Sequence, residues 1–200
     1  FTQTMQDEAT RRHQLHMLLA KAMTDKALDV YYQPIIDTYQ HKVVKCEALL
    51  RWTDPTLGQV SPAEFVPLAE DTGMIVELGE YVMLKACADI NQLKSDVGCE
   101  LSLAFNKSTR EFVEESRGHI SALDKLREQA LFPNITVEIT ESLVLQESND
   151  TVSQLRALRD AGVEIAIDDF GTGYSSLSYL RKFPVDILKI GRSFIHEIEK

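Results

Sequence analysis

The sequence predicts an α/β protein built on a parallel sheet, open or closed. Six apolar runs of strand length fall at 30–36, 43–50, 101–105, 135–139, 163–167 and 187–190, and helix-like segments separate most of them. Polar residues gather at the C-terminal ends of these runs, where α/β proteins place their sites. Two hundred residues, 44% hydrophobic, suffice for one domain with a substantial core.

The chain opens on a charged helix. Leu15, Leu18, Leu19 and Ala22 repeat at i, i+3, i+4 and i+7, leaving Arg11, Arg12 and Lys21 on the polar face. Residues 1–26 are read as a linker or docking helix and 27–200 as the main domain. Ser61-Pro62-Ala63-Glu64 has the form of a capping box with proline at the first helical position. Ile75, Leu78, Val82, Ala86, Ile90 and Leu93 trace a helical stripe, with Gly79 an oddity near its start. Val152, Leu155 and Leu158 mark another helix, closed by Gly162.

The most informative stretch is 163–174. Val163, Ile165 and Ile167 share one strand face; Glu164, Ala166 and Asp168 share the other. Asp168 and Asp169 converge on one site only if the strand stops there, and Gly171 and Gly173 free the backbone to turn. Adjacent acids at a strand mouth are costly unless a cation lies between them. Other strands deliver Glu47, with Arg51 in its parity, then Asn106, Glu138 and Lys189. In four of these strands the polar residue takes the parity away from the most apolar residues. Parity alone does not say which face is the interior.

All candidate ligands carry oxygen, which suits Mg²⁺ or Mn²⁺ and disfavours zinc. His13, His16, His41, His119 and His196 show no ligand spacing, and Cys46, Cys87 and Cys99 read as reduced thiols. Asp168 between two ions, with Asp169 completing the second, is the arrangement of a two-metal phosphodiesterase; Lys189 would orient the attacking water or stabilise developing charge. The net charge of −10 argues against polymeric nucleic acid. No run approaches the roughly 18 apolar residues of a membrane span. The composition reads as a cytoplasmic domain, compatible with a membrane anchor elsewhere. Trp52 and Phe112 are read as packing groups, and Cys46 as a small core residue.

Several motifs together resemble the EAL domain family: Glu47-Ala48-Leu49 within Cys46–Trp52, Tyr32-Gln33-Pro34-Ile35, Asn106-Lys107-Ser108, Glu138-Ile139-Thr140-Glu141, Asp168-Asp169-Phe170-Gly171-Thr172-Gly173-Tyr174-Ser175-Ser176, and Lys189-Ile190. The resemblance runs from about Leu15 to the C-terminus. It implies a modified TIM (β/α) barrel that hydrolyses cyclic di-GMP to the linear dinucleotide pGpG with Mg²⁺ or Mn²⁺. Glu47, Asn106, Glu138 and Asp168 would then hold the first metal, Asp169 the second, and Lys189 the water. Glu141 would brace the Asp-Asp-Phe-Gly loop, while Gln33, Leu49 and Arg51 would contact the dinucleotide. The resemblance further implies an upstream GGDEF or sensory domain and a homodimer through the 168–180 region.

Two departures stand out. Family members usually read Lys-Ile-Asp where this chain has Lys189-Ile190-Gly191. A family barrel also needs two further strand–helix units, which are expected to be lacking here. These departures keep open a second reading, a catalytically inactive receptor for cyclic di-GMP.

Overall fold

A computed structural model of the chain describes residues 3–98, 101–116, 134–145, 149–171 and 182–192. Cys99, His119, His196, Gly173, Tyr174 and most of the expected dimer segment lie outside the described residues. In chain order the elements are α1 (Gln3–Thr24), β1 (Leu28–Asp37), β2 (Lys42–Asp54), β3 (Gly58–Val60), α2 (Pro62–Thr72), α3 (Ile75–Val97), β4 (Ser102–Asn106), α4 (Thr109–Ser116), β5 (Ile135–Thr140), α5 (Glu141–Leu145), α6 (Asn149–Asp160), β6 (Glu164–Phe170) and β7 (Ile187–Ile190).

The strands form one sheet in the order β1-β2-β4-β5-β6-β7, with β3 hydrogen-bonded to β2. From β2 onward the path is parallel, and the β2–β4, β4–β5 and β5–β6 crossovers carry helices. The expectation of a purely parallel sheet needs one correction. The β1–β2 connection is a hairpin, so β1 runs antiparallel. The expectation of six strands also misses β3, which Gly58 begins at a φ of 72°. Three residues after a turn carry no period to read.

Face assignment follows from packing. Cys46, Ala48, Leu103, Phe105, Ile135, Val137, Ile139, Ile165 and Ile167 share the face covered by helices, where they meet Met83, Ala86, Ile90, Phe112 and Leu155. The opposite parity, with Glu47, Ala104, Glu138, Ala166 and Lys189, therefore lines the face turned away from these helices. The oxygen ligands sit on the side away from the helices because the helices claim the apolar parity.

A second core lies beneath β1–β3. Leu15, Leu19 and Ala22 of α1 pack with Trp52, Phe65 and Leu78, and Trp52 meets Phe65 edge to face at 5.8 Å. Each such aromatic contributes roughly 2–3 kcal/mol by leaving water. Trp52 and Phe112 are packing groups, each 1% exposed. Arg11 pairs with Glu64 at 2.8 Å and Arg12 pairs with Asp71, fixing α1 along α2. Glu64 thus serves α1 and leaves the expected capping box half made, with Ser61 Oγ accepting from Ala63 N–H.

Candidate active site

Five strands deliver polar side chains to one rim, four of them ionisable. β2 places Glu47 beside Ala104 of β4, β4 places Asn106 beside Glu138 of β5, and β6 brings Asp168 beside Thr140. One oxygen from each of Glu47, Glu138 and Asp168 lies within 4.8 Å of the others. The Lys189 ammonium sits among them. It donates to Glu47 at 3.1 Å and to Glu138, and lies 3.2 Å from Asp168. Asn106 donates its amide to Glu47 at 2.8 Å.

Electrostatics sharpen this picture. Burial pushes the Glu138 carboxyl up to about 7; Lys189 opposes that shift, while Glu47 and Asp168 add to it. Burial pulls the Lys189 ammonium down, yet Glu138, Glu47 and Asp168 outweigh it and hold the lysine above its ordinary value. Three carboxylates share one ammonium, so the rim carries a surplus of negative charge. An all-oxygen donor set with that surplus fits a hard divalent cation.

The Asp168-Asp169 turn differs from expectation in one respect. The strand does not stop at Asp168 but runs on to Phe170. Between Ile167 and Phe170 the pairing with β7 slips, three steps on β6 matching two on β7. Asp169 has a φ of 51° at this slip. A bulge re-aims neighbouring side chains without ending the strand, and the left-handed region is strained for a non-glycine residue. Gly171, just past the strand, is held from the start of α5, because the Glu141 carboxylate accepts its N–H at 3.1 Å.

The remaining predicted residues divide. Leu49 and Arg51 line a cleft of about 440 Å³ that also takes in Asn106 and Glu138. Arg51 stacks over Tyr31 at 5.7 Å and donates to Leu50 O. Gln33 is exposed and pairs in register with Glu47 across the hairpin, outside the residues bounding the cleft. Asp169 is exposed and is not one of the three carboxylates whose oxygens lie within 4.8 Å of one another. Gly191 is buried and donates to Phe170 O at 3.4 Å.

Sequence reading missed a second polar layer on the same face: Lys45, Thr136 and Glu164. It also missed a capping box at Ser108–Glu111, although Ser-Thr-Arg-Glu spells it out. No helix among the described residues is long and apolar enough to cross a membrane.

Comparison with known proteins agrees with this geometry. The family model described as EAL domain matches residues 18–200. NbdA, a cyclic di-GMP phosphodiesterase of Pseudomonas aeruginosa, is 38% identical over 206 residues, covering 99% of this chain and 25% of that protein. PdeR of Escherichia coli, a cyclic di-GMP phosphodiesterase, is 34% identical over 202 residues, covering 100% of this chain and 30% of its own length. This chain therefore spans less than a third of these curated relatives. Among solved structures, the PaMucR phosphodiesterase in complex with c-di-GMP aligns with a TM-score of 0.80 at 36% identity, over 93% of this chain and 75% of that one. The EAL enzyme Bd1971 with cAMP and cyclic-di-GMP bound gives 0.83 at 29% identity, over 99% and 54%. These likenesses make the sheet and its outer helices a TIM-barrel-type fold, with the described strands forming an unclosed sheet. By sequence and by structure, the chain belongs to the EAL domain family.

Proposed function

We propose that this chain hydrolyses cyclic di-GMP to the linear dinucleotide pGpG, with Mg²⁺ or Mn²⁺ as cofactor. The observation that carries the reading is the excess of carboxylate over ammonium where Glu47, Glu138 and Asp168 meet Lys189. Two relatives named as cyclic di-GMP phosphodiesterases, each matched across nearly the whole of this chain, support it.

In this reading Glu47, Asn106, Glu138 and Asp168 would hold a first ion and Asp169 a second. Bound there, the ions would activate water and neutralise charge on the phosphate. The chain's own residues do the rest. Lys189 keeps its proton among three acids, which makes it a donor toward the water or the leaving oxygen, not a base. Glu141 holds the turn after Asp169 through Gly171 N–H. Arg51, with Leu49 beside it at the cleft, offers a charged donor to a phosphate oxygen. Gln33 would meet the dinucleotide from β1. An upstream GGDEF or sensory domain and a homodimer through 168–180 complete the proposal, for a cytoplasmic signalling domain.

The test is product formation by this chain with Mn²⁺ or Mg²⁺, read by chromatography of linear dinucleotide. Wild type is expected to turn over. Glu47→Ala is expected to lose turnover and bind metal more weakly. Full activity in Glu47→Ala would remove Glu47 as a ligand. Nucleotide binding by wild type without any linear product would replace the enzyme with the receptor reading.

A further inference from the structure

Helix α3 carries Gly79 in its second turn, where alanine is the better helix former. The reason lies opposite, on α4. A Cβ at position 79 would lie 2.3 Å from Glu111 Oε1 and 3.0 Å from its Cδ. Gly79 is the space into which that carboxylate fits.

Glu111 is only 6% exposed. Its Oε2 accepts the Ser108 backbone N–H at 2.7 Å, and its Oε1 lies 3.9 Å from Lys107 Nζ. Ser108 Oγ accepts from Arg110 N–H at 3.1 Å and donates to Glu70 of α2 at 2.8 Å. Ser108 and Glu111 thus form a reciprocal capping box, wedged between α2 and α3 where most such boxes face water. Two residues upstream is Asn106, whose amide contacts Glu47 at 2.8 Å. Between them, Lys107 N–H donates to Glu138 O at 2.8 Å. The corner that Glu111 clamps therefore joins the backbone of one proposed ligand to that of another.

We infer that Glu111 is a positioning residue for the rim: through Ser108 and Lys107 it sets where Asn106 meets the Glu47–Glu138–Asp168 group, and Gly79 provides its room. The inference rests on the proposed metal-binding function. Residues that orient ligands from behind typically change metal affinity by about 10- to 100-fold when removed.

The test is calorimetric titration of Mn²⁺ into this chain, with thermal unfolding followed in parallel. Glu111→Ala is expected to weaken Mn²⁺ binding by about tenfold. Glu111→Gln keeps an oxygen for Ser108 N–H and is expected to restore most of the affinity. Gly79→Ala is expected to reproduce the loss by displacing the carboxylate, and it carries the test if Glu111→Ala does not fold. In an Asn106→Ala background, Glu111→Ala is expected to add little, because both changes act through one ligand. A lowered unfolding temperature with unchanged Mn²⁺ affinity, or a loss that adds in full to that of Asn106→Ala, would overturn the inference. Wild type that binds no Mn²⁺ would instead overturn the proposed metal centre, and this inference with it.

Discussion

Two lysine–carboxylate clusters sit one layer apart on the same face of the sheet. In the lower one, Lys45 pairs with Glu164 at 2.8 Å and donates to Thr136, whose hydroxyl donates to the same carboxylate at 2.8 Å. In the upper one, Lys189 serves Glu47, Glu138 and Asp168 together. The lower cluster has one base for one acid. The upper has one base for three. The acids respond in opposite directions: Lys45 and then Thr136 hold Glu164 below its ordinary value, while burial pushes Glu138 up to about 7. A balanced network satisfies itself and needs nothing further. An unbalanced one at a strand rim marks a candidate functional site, and under the proposed function it is where positive charge is taken up. Charge stoichiometry, more than the presence of acids, separates the two.

The strongest way to break this contrast is Glu138→Gln. The unfolded Glu138 ionises near 4.5, whereas the folded one holds its proton up to about 7. The folded state thus binds more protons across that window, and metal-free stability falls as pH rises through it. The change amounts to about 3 kcal/mol at roughly 1.4 kcal/mol for each pKa unit. Urea unfolding of the metal-free chain from pH 5 to 8 is expected to show this decline in wild type and not in Glu138→Gln, which should also lose turnover. A flat wild-type profile would mean that the carboxyl stays ionised.

Lys189→Met comes next. Removing the sole counter-charge among the described residues leaves three acids facing one another and is expected to cost about 2 kcal/mol in metal-free protein. Mn²⁺ should restore stability but not activity, as measured by unfolding with and without the ion. Equal loss in both conditions would show that the lysine packs and does not balance charge.

The smallest effect is expected from Lys45→Met. The Glu164 side chain is 53% exposed, so water replaces its partner and stability should fall by no more than about 1 kcal/mol. Turnover and Mn²⁺ affinity should stay at wild-type values. A tenfold drop in either would join the lower layer to the site and dissolve the contrast.

Much of this was legible in the chain because strand parity is a two-state code. Glu47, Asn106, Glu138 and Lys189 stand in the phase opposite to their apolar neighbours, and the structure gives them one common face. Which face that was depended on where α3, α4 and α6 pack, which no single strand records. The Asp168-Asp169 turn looked like a strand end; it is a bulge with Asp169 at positive φ, and bulges come from pairing with a neighbour, here β7. Lys45 and Glu164 are 119 residues apart in sequence, so their pairing had no local trace. Gly79 and the Ser108–Glu111 box were visible individually. That the first makes room for the second follows only from the packing of α3 against α4.

The central claim is that the rim exchanges a proton-rich acid cluster for a divalent cation. Calorimetric titration of Mn²⁺ at pH 6, repeated in buffers of different ionisation enthalpy, measures this most directly. The account predicts saturable binding that releases protons, mainly from Glu138, and is lost in Glu47→Ala and Asp168→Asn but kept in Lys45→Met. Binding without proton release, or undiminished binding in both carboxylate variants, would contradict it.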